Sequence, residues 1–433
     1  MQYDKIREIA IKILVRVYEE GAYSNAALSS ALNNEKDINA LDRGFITELV
    51  YGTLKYTLAF ENIISKYSKI KLNKISKWQM SILKTGLYQI FFMDRVPNSA
   101  ACNESVKLSG KYGHEGSKRF VNGLLRTVIR DTDGKYENIK FQLFFEKYAY
   151  PKWLADICIE DFGEEFTKEM MQSNMNTSKL SIRANLLKMS RDELLNNLKE
   201  AGYDAIKSET SLDGIILKKV SSIADMKQFR DGLFYVQGES SMLLARILNP
   251  KSGNRVLDLC SAPGGKSTHI AELMGNKGVV IAGDIFQHKI NKISESAQRL
   301  GIDIIEPIIN DASQYNKDFK EYFDCVLADV PCSGTGIIRS RPEIKFKKCR
   351  ADIEELIPLQ YSILKNAGEY VKQGGTLVYS TCSVLRNENI NQINRFLKED
   401  KRFTLEAIHE IFPQDNDSDG FFIAKMKREQ NSD

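Results

Sequence analysis

The stretch that most constrains the fold of this chain is a short apolar strand followed at once by a glycine turn and a helix start. Residues 256–268 have the sequence Val-Leu-Asp-Leu-Cys-Ser-Ala-Pro-Gly-Gly-Lys-Ser-Thr. Glycine is needed where a backbone must approach a ligand closely and leave the N–H groups of a helix N-terminus pointing at it. The spacing matches neither the G-x-G-x-x-G of dinucleotide binders nor a phosphate-binding P-loop. It suits a nucleoside with a carboxylate tail.

Around this turn, short apolar strands alternate with helical stretches from Gly232 onward, which is typical of a parallel sheet with crossover helices. Strands are predicted at residues 255–259, 278–284, 304–309, 323–329 and 376–379, with a last pair at 403–408 and 421–426. Four acids, Asp258, Asp284, Asp311 and Asp329, close successive strands. Ligands of such sheets bind at the carboxyl ends of the strands, so we expect a binding site there.

The front of the chain has a different pattern. Apolar residues recur at steps of three and four in residues 6–18, 45–58, 82–92 and 120–129, which predicts an all-helical domain over residues 1–131. Turn-forming residues at 131–134 predict a linker. Residues 140–231 are predicted to form a small α+β domain, with strands at 180–184 and 214–217 and a helix at 190–201. Residues 232–433 hold the α/β part, so three domains are expected.

The charge of the chain is uneven. The whole sequence has 61 Lys+Arg against 57 Asp+Glu, a net charge of +4. Residues 1–130 hold 20 against 12, or +8, which leaves 41 against 45, or −4, for the remainder. A basic front module suggests an anionic partner such as nucleic acid. Apolar runs far shorter than a bilayer span and an amphipathic start predict a cytoplasmic protein with no membrane partner.

The cysteines separate into two groups. Seven cysteines with no C-x-x-C spacing, and only four histidines, support neither a disulfide framework nor a metal site. Small buried hydrophobic roles are expected for Cys102, Cys158, Cys325 and Cys349, and Cys260 is expected to pack within the glycine loop. Cys332 and Cys382 differ, because they follow the fourth and fifth predicted strands at the edge where ligands bind.

Two thiols and a carboxylate at one site fit methylation of a pyrimidine at C5. That carbon is a poor nucleophile, so a thiolate adds to the neighbouring C6 and creates an enamine that can attack the methyl sulfonium of S-adenosylmethionine. The C5 proton and the thiolate must then leave. A methylase of exocyclic amines needs no cysteine and favours Asp/Asn-Pro-Pro-aromatic, where this chain has Asp-Val-Pro-Cys at residues 329–332.

These motifs are similar to those of a known family. Residues 260–266, 329–336 and 380–383 resemble the NOL1/NOP2/Sun family of RNA cytosine-C5 methyltransferases, and residues 42–52, 94–97 and 120–126 resemble the antitermination factor NusB. The combination, which covers almost the whole chain, resembles the bacterial ribosomal RNA small subunit methyltransferase B group, also called Sun or Fmu proteins. It implies a multidomain fold: an all-α NusB-like RNA-binding front, a small α+β middle domain and an α/β Rossmann-like methyltransferase core.

The resemblance also implies roles for individual residues. Cys382 is the expected nucleophile, Cys332 assists release of the product, and Asp329 contacts the base. The residues expected to hold S-adenosylmethionine are Cys260, Ser261, Ala262, Pro263, Gly264, Gly265, Lys266, Asp284, Asp311 and Asp329. One departure is Ser261, where many relatives carry alanine. The implied partner is 16S ribosomal RNA, naked or in an assembling small subunit, and the protein is expected to be a monomer without a metal.

The sequence is compatible with other nucleophiles, substrates and functions. In DNA cytosine-C5 methyltransferases the attacking cysteine lies in a Pro-Cys loop, so Cys332 competes with Cys382 for that role. The substrate could instead be transfer RNA or large-subunit ribosomal RNA. A non-catalytic RNA-binding assembly factor is a third alternative, against which the intact cysteine pair argues. Finally, six cations within residues 339–350 are expected to border the site and contact RNA phosphates.

Overall fold

The computed structural model describes residues 4–35, 38–218, 220, 222–415 and 417–430. Its contacts divide the chain into two compact units. The first unit contains the chain up to Met175 together with the segment Arg341–Lys348, and the second contains Asn176–Ser340 and the chain from Cys349 onward. The contacts thus separate the units after Met175, and the domain boundaries near residues 131 and 231 stay predictions.

The first unit is helical. Its helices are α1 (Lys5–Glu19), α2 (Ser24–Asn34), α3 (Ala40–Lys55), α4 (Thr57–Tyr67), α5 (Lys77–Phe92), α6 (Asn98–Lys111), α7 (Glu115–Thr132), α8 (Phe144–Lys147), α9 (Lys152–Phe162), α10 (Glu164–Ser173) and, later in the chain, α16 (Ile344–Lys347). The carboxylate of Asp4 caps α1 by accepting the N–H groups of Ile6 and Arg7. The apolar stripe of α1 is buried, as its spacing predicts.

Two local predictions in this unit are corrected. The apolar pattern at residues 45–58 is not one helix, because the chain breaks at Tyr56 between α3 and α4. The predicted linker at residues 131–134 begins too early, since α7 runs through Thr132. The turn proper starts at Asp133, which adopts a left-handed conformation with φ of 54°, followed by Gly134 at 68°. Short polar residues and glycine tolerate this conformation at a helix end.

The second unit begins with a four-stranded antiparallel sheet. Its strands are β1 (Leu180–Ala184), β2 (Asp204–Lys207), β3 (Gly214–Lys218) and β4 (Phe234–Val236), in the order β2-β3-β1-β4. The helices α11 (Arg191–Glu200) and α12 (Lys227–Arg230) accompany it. Ser190 and Glu193 form the capping box that their spacing predicts. The sequence did not predict β2 and β4, which are too short to show a period-two pattern.

The rest of the second unit is a seven-stranded sheet with crossover helices. Its strands are β5 (Arg255–Asp258), β6 (Val279–Asp284), β7 (Ile305–Ile309), β8 (Phe323–Asp329), β9 (Val371–Thr381), β10 (Phe403–Ile411) and β11 (Phe421–Arg428), and its helices are α13 (Glu239–Leu248), α14 (Gly265–Leu273), α15 (Gln287–Leu300), α17 (Arg350–Tyr370) and α18 (Ile390–Glu399). Its strand order is β10-β11-β9-β8-β5-β6-β7, with β11 antiparallel to both of its neighbours. The predicted fold class is confirmed, and the predicted strands match these elements to within a few residues.

The sheet is buried on both faces, which explains its near-continuous apolar strands. Leu257, Val326 and Leu377 belong to the apolar cluster on one face. The adjacent residues Val256, Leu327 and Val378 belong to the cluster on the other face. The strand order reverses between β5 and β8, and such a switch point opens a crevice at the carboxyl ends of the strands.

None of the helices in the part of the chain that the structure describes has the length and apolar content needed to cross a membrane.

Candidate active site

The glycine loop joins β5 to α14 at this switch point. Gly264 has a φ of +100°, a conformation that side chains strongly disfavour. A Cβ atom added to Gly265 would lie 2.8 Å from a ring carbon of Tyr235, so a larger residue would displace that ring. The loop therefore depends on both glycines. It presents the first turn of α14, with its free N–H groups, at the carboxyl edge of the sheet.

Neighbouring strands place two further predicted residues beside this loop. Ser261 donates from its backbone N–H and its hydroxyl to the carbonyl of Gly283, at 2.9 and 3.0 Å. The hydroxyl that distinguishes this residue from alanine therefore has a hydrogen-bond partner within the chain. Asp284 ends β6 and is 6% exposed. Its carboxylate accepts the N–H of Phe286 and pairs with Lys289 at 3.2 Å. This places an acid one strand away from the glycine loop.

Asp311 lies two residues beyond β7 and is exposed. Its carboxylate accepts the N–H and the hydroxyl of Ser313, at 3.0 and 2.7 Å. This is the geometry of a turn-capping aspartate. Asp311 lies at the predicted edge of the sheet, but its contacts serve the local turn, and its role toward a cofactor stays a prediction.

Charged groups converge between the loop and β8. Lys266, from the first turn of α14, forms an ion pair with Asp329 at the end of β8. Burial alone would lower the pKa of Lys266, but the Asp329 carboxylate outweighs it and the pKa lies above its ordinary value. The hydroxyl of Ser380 donates to Asp329 at 2.7 Å. Asp258, fully buried beneath, accepts the Ser267 hydroxyl at 2.6 Å, and burial raises its pKa to about 7.

The two thiols predicted to be functional meet at this edge. Cys332 follows β8 and Cys382 follows β9, and their sulfur atoms are 3.2 Å apart. The strands are parallel neighbours with Asp329 opposite Ser380, so their carboxyl-terminal loops meet. The Gly336 N–H donates to the Cys382 carbonyl at 2.9 Å and fixes one loop against the other.

The pair is electrostatically asymmetric. The hydrogen bond from Cys332 lowers the pKa of Cys382, against the opposing effect of burial, and the ammonium of Lys266 contributes in the same direction. The same hydrogen bond, together with burial, raises the pKa of Cys332 well above its ordinary value. These directions make Cys382 the thiol of the pair that ionises more readily.

The remaining cysteines differ from this pair. Burial and three nearby carboxylates raise the pKa of Cys260, which makes it a poor nucleophile. Cys102, Cys158 and Cys325 are buried, as predicted. The prediction for Cys349 is wrong, because this residue is exposed at the N-cap of α17, where its backbone N–H donates to the side chain of Asp352. Within the described ranges, no cluster of three or more His, Cys, Asp or Glu is arranged to hold a metal ion.

The prediction that all six cations of residues 339–350 face RNA is also wrong. Arg339 is 3% exposed and pairs with Asp417 at 2.5 Å. Lys345 is 1% exposed and, within the helical unit, donates to the carbonyls of Lys55 and Tyr148 at 2.6 and 3.1 Å. Spacing along the sequence cannot show such distant acceptors. Arg341 and Arg350, by contrast, are exposed.

The sequence also missed Arg183, on β1 of the antiparallel sheet. Its fully buried guanidinium donates to the Gly265 carbonyl at 2.6 Å and to the Thr268 hydroxyl at 3.1 Å, and it pairs with Glu272 at 2.8 Å. All three partners lie on α14, so a strand of the smaller sheet supports the helix that presents the glycine loop. The only signal in the sequence was an arginine within a short predicted strand.

Comparisons with known proteins agree with this architecture. A family model described as 16S rRNA methyltransferase RsmB/F matches residues 245–427. A NusB family model matches residues 4–130, and a model of the ferredoxin-like domain of RsmF/B-like methyltransferases matches residues 150–224.

Two solved structures resemble the chain. The crystal structure of PH0851 has a TM-score of 0.84 at 26% identity, covering 99% of this chain and 100% of that one. The structure of a methyltransferase homolog protein from Pyrococcus horikoshii has a TM-score of 0.58 at 28% identity, covering 64% of this chain and 95% of that one.

Full-length relatives carry a common name. The chain is 36% identical to the probable ribosomal RNA small subunit methyltransferase B of Bacillus subtilis (strain 168), over 99% of this chain and 100% of the relative. It is 31% identical to ribosomal RNA small subunit methyltransferase B of Klebsiella pneumoniae (strain 342), over 98% and 99%. The chain therefore belongs to the RsmB/F family of S-adenosylmethionine-dependent ribosomal RNA methyltransferases.

Proposed function

We propose that this protein methylates C5 of a cytosine in 16S ribosomal RNA through a covalent bond between Cys382 and C6 of the base. The observation that carries this proposal is the pair of thiols 3.2 Å apart, beside the ion pair of Lys266 and Asp329. Methylation of an exocyclic amine would need neither thiol. Methylation at C5 does need a thiol, because C5 becomes nucleophilic only after a thiolate adds to C6.

The residues of the glycine loop fit S-adenosylmethionine. The first turn of α14 offers N–H groups to a carboxylate, and Gly264, with a φ of +100°, allows the tight turn that presents them. Asp284, one strand away, is suited to accept the ribose hydroxyls. When bound there, the cofactor supplies an electrophilic methyl group to the activated C5.

Three side chains of the protein act directly on the base or on the bond to it. The Cys382 thiolate forms the bond to C6, which places electron density on C5. After C5 is methylated and loses its proton, the bond between carbon and sulfur breaks and returns the electron pair to Cys382. The Cys332 thiol, 3.2 Å away, can give a proton to the departing sulfur and regain one from solvent. Asp329, held by Lys266 and Ser380, is positioned to orient the base.

The small-subunit substrate is supported by the relatives, whose names specify that subunit and whose similarity extends over nearly the full chain. The basic front, with +8 over residues 1–130, suits an RNA partner. Because ribosomal RNA is the substrate, we place the reaction in the cytoplasm. Bisulfite sequencing of total RNA from cells with and without the gene tests the proposal. In cells without the gene, one 16S cytosine should lose its protection from conversion by bisulfite. Loss of protection only in transfer RNA or large-subunit RNA would refute the substrate assignment.

The cofactor assignment predicts the effect of Asp284→Ala. Removing the acceptor of the ribose hydroxyls should weaken S-adenosylmethionine binding by about 1–3 kcal/mol, or about 5- to 150-fold, because buried donors lose their partner. Isothermal titration calorimetry of the full-length variant measures this directly. Asp303→Ala, an exposed acid before the opposite end of β7, is the matched control and should bind normally. Wild-type affinity in Asp284→Ala would remove this residue from the cofactor site.

A further inference from the structure

One buried carboxylate contacts both loops that carry the thiols. Glu388 follows β9 in a single turn of 3-10 helix and has no exposed surface. Its Oε1 accepts the backbone N–H of Ser333 and the side-chain amide of Gln360, both at 2.8 Å. Its Oε2 accepts the hydroxyls of Ser333 and Ser383. Four donors thus converge on one carboxylate.

Three of these four donors belong to serines that are adjacent in sequence to the thiols. Ser333 directly follows Cys332, and Ser383 directly follows Cys382. The amide of Gln360 also donates to the carbonyl of Pro331, at 2.9 Å, so it holds the residue on the other side of Cys332. The distance between the two sulfur atoms is therefore set by loops that share the carboxylate of Glu388 as a common acceptor.

We propose that Glu388 is a positioning residue that holds Cys332 and Cys382 within hydrogen-bonding distance of each other. The role in catalysis rests on the proposed function, but the effect on the thiols does not. A buried carboxylate with four donors is strongly held, because hydrogen bonds to a charged group contribute more than those between neutral groups. Without this carboxylate, the two loops lose the acceptor that they share, and these hydrogen bonds no longer hold the thiols together.

The chemistry of the donors provides a discriminating pair of variants. Glu388→Ala removes the anchor and leaves four donors without their acceptor. Glu388→Gln keeps the shape: its amide oxygen can accept from Ser333 N–H and Gln360, and its NH₂ group can donate to the two serine hydroxyls, which are able to rotate and accept. The alanine variant should separate the thiols, and the glutamine variant should leave them together.

The two variants shift the ionisation of Cys382 in opposite directions. The groups that act on this thiol are Cys332, Asp329, Lys266 and Glu388. In Glu388→Ala the negative charge is lost, which lowers the pKa of Cys382, but the hydrogen bond from Cys332, the largest influence, is lost as well, so the pKa rises. In Glu388→Gln that hydrogen bond remains and only a negative charge disappears, so the pKa falls.

The experiment measures alkylation of Cys382 by iodoacetamide as a function of pH, with peptide mass spectrometry, on the full chain without RNA. We expect the midpoint to rise by about one pH unit in Glu388→Ala and to fall in Glu388→Gln. Glu355→Ala, an exposed glutamate on α17, is the control and should match the wild type. If Glu388→Ala does not fold, Ser383→Ala, which removes one donor on the Cys382 side, should give the same upward shift.

An unchanged midpoint in the alanine variant, or equal shifts in the alanine and glutamine variants, would overturn the inference. Methyl transfer to RNA supplies the second readout: kcat should fall about tenfold or more in Glu388→Ala, with KM for RNA within about twofold, and recover in Glu388→Gln. A wild-type protein that alkylates as expected but methylates no cytosine would refute the proposed function and leave the positioning role intact.

Discussion

Cys382→Ser should abolish methyl transfer and form no covalent complex with RNA, whereas Cys332→Ser should accumulate one. A serine hydroxyl is almost entirely protonated near neutral pH and is a far weaker nucleophile than a thiolate, so loss of Cys382 should lower the rate by about a thousandfold or more. The contact at 3.2 Å and the opposite pKa shifts of the pair favour this assignment.

Cys332 acts at the other end of the reaction. Its serine replacement retains a hydroxyl that can donate to Cys382, so attack on C6 proceeds. A hydroxyl is a far poorer acid than a thiol and transfers a proton to the departing sulfur much less readily, so the adduct should persist. Cys332→Ala is a less clean probe, because loss of the hydrogen bond also raises the pKa of Cys382 and slows attack at neutral pH.

Denaturing gel electrophoresis with labelled 16S RNA separates these outcomes. Cys349→Ser, which replaces an exposed cysteine at the start of α17, is the matched control and should methylate RNA normally without a stable adduct. An adduct with Cys382→Ser and none with Cys332→Ser would reverse the two roles. The absence of an adduct from both variants would remove the release role of Cys332.

The sequence predicted the parts of the site that follow from local chemistry. The strand, glycine turn and helix at residues 255–273 lie together in the chain, so their pattern is visible directly. Parallel strands place their carboxyl ends at one edge, so the meeting of Cys332 and Cys382 could be expected although they are 50 positions apart. The sequence indicates that the two cysteines lie at the same edge of the sheet, but only the structure shows that their sulfur atoms are 3.2 Å apart.

Contacts that depend on distant segments could not be predicted. Arg183 and Gly265 are 82 positions apart, and Arg183 comes from a different sheet. The basic neighbours of Lys345 in the sequence predict a cation that contacts RNA phosphates, but its acceptors are carbonyls 197 and 290 positions away. Nothing in a linear charge pattern distinguishes a lysine that faces solvent from one that buries its ammonium against backbone carbonyls.

Arg183→Ala should destabilise the second unit by about 3–5 kcal/mol at neutral pH, the cost of leaving a buried charge without its partner. Glu272 would remain fully buried without the guanidinium. The carbonyl of Gly265 would lose its donor at the same time, so the glycine loop should hold S-adenosylmethionine about tenfold more weakly or worse. Urea unfolding and calorimetry measure the two effects. Arg230→Ala, an exposed arginine of the same region, should change neither.

The loss in Arg183→Ala should also depend on pH in a defined direction. Burial already raises the pKa of Glu272 above its ordinary value of 4.5, and the nearby guanidinium counters this. Without Arg183 the folded-state pKa rises further, so between the folded-state pKa of the wild type and that of the variant, the folded variant binds more protons than the folded wild type. Stability relative to the wild type should therefore fall as pH increases, by up to about 1.4 kcal/mol per pH unit. Arg183→Met combined with Glu272→Leu removes both charges and should recover much of the stability and flatten the pH dependence. A deficit that is independent of pH and persists in the double variant would show that Arg183 stabilises the unit through its bonds to Gly265 and Thr268 rather than through its pairing with Glu272.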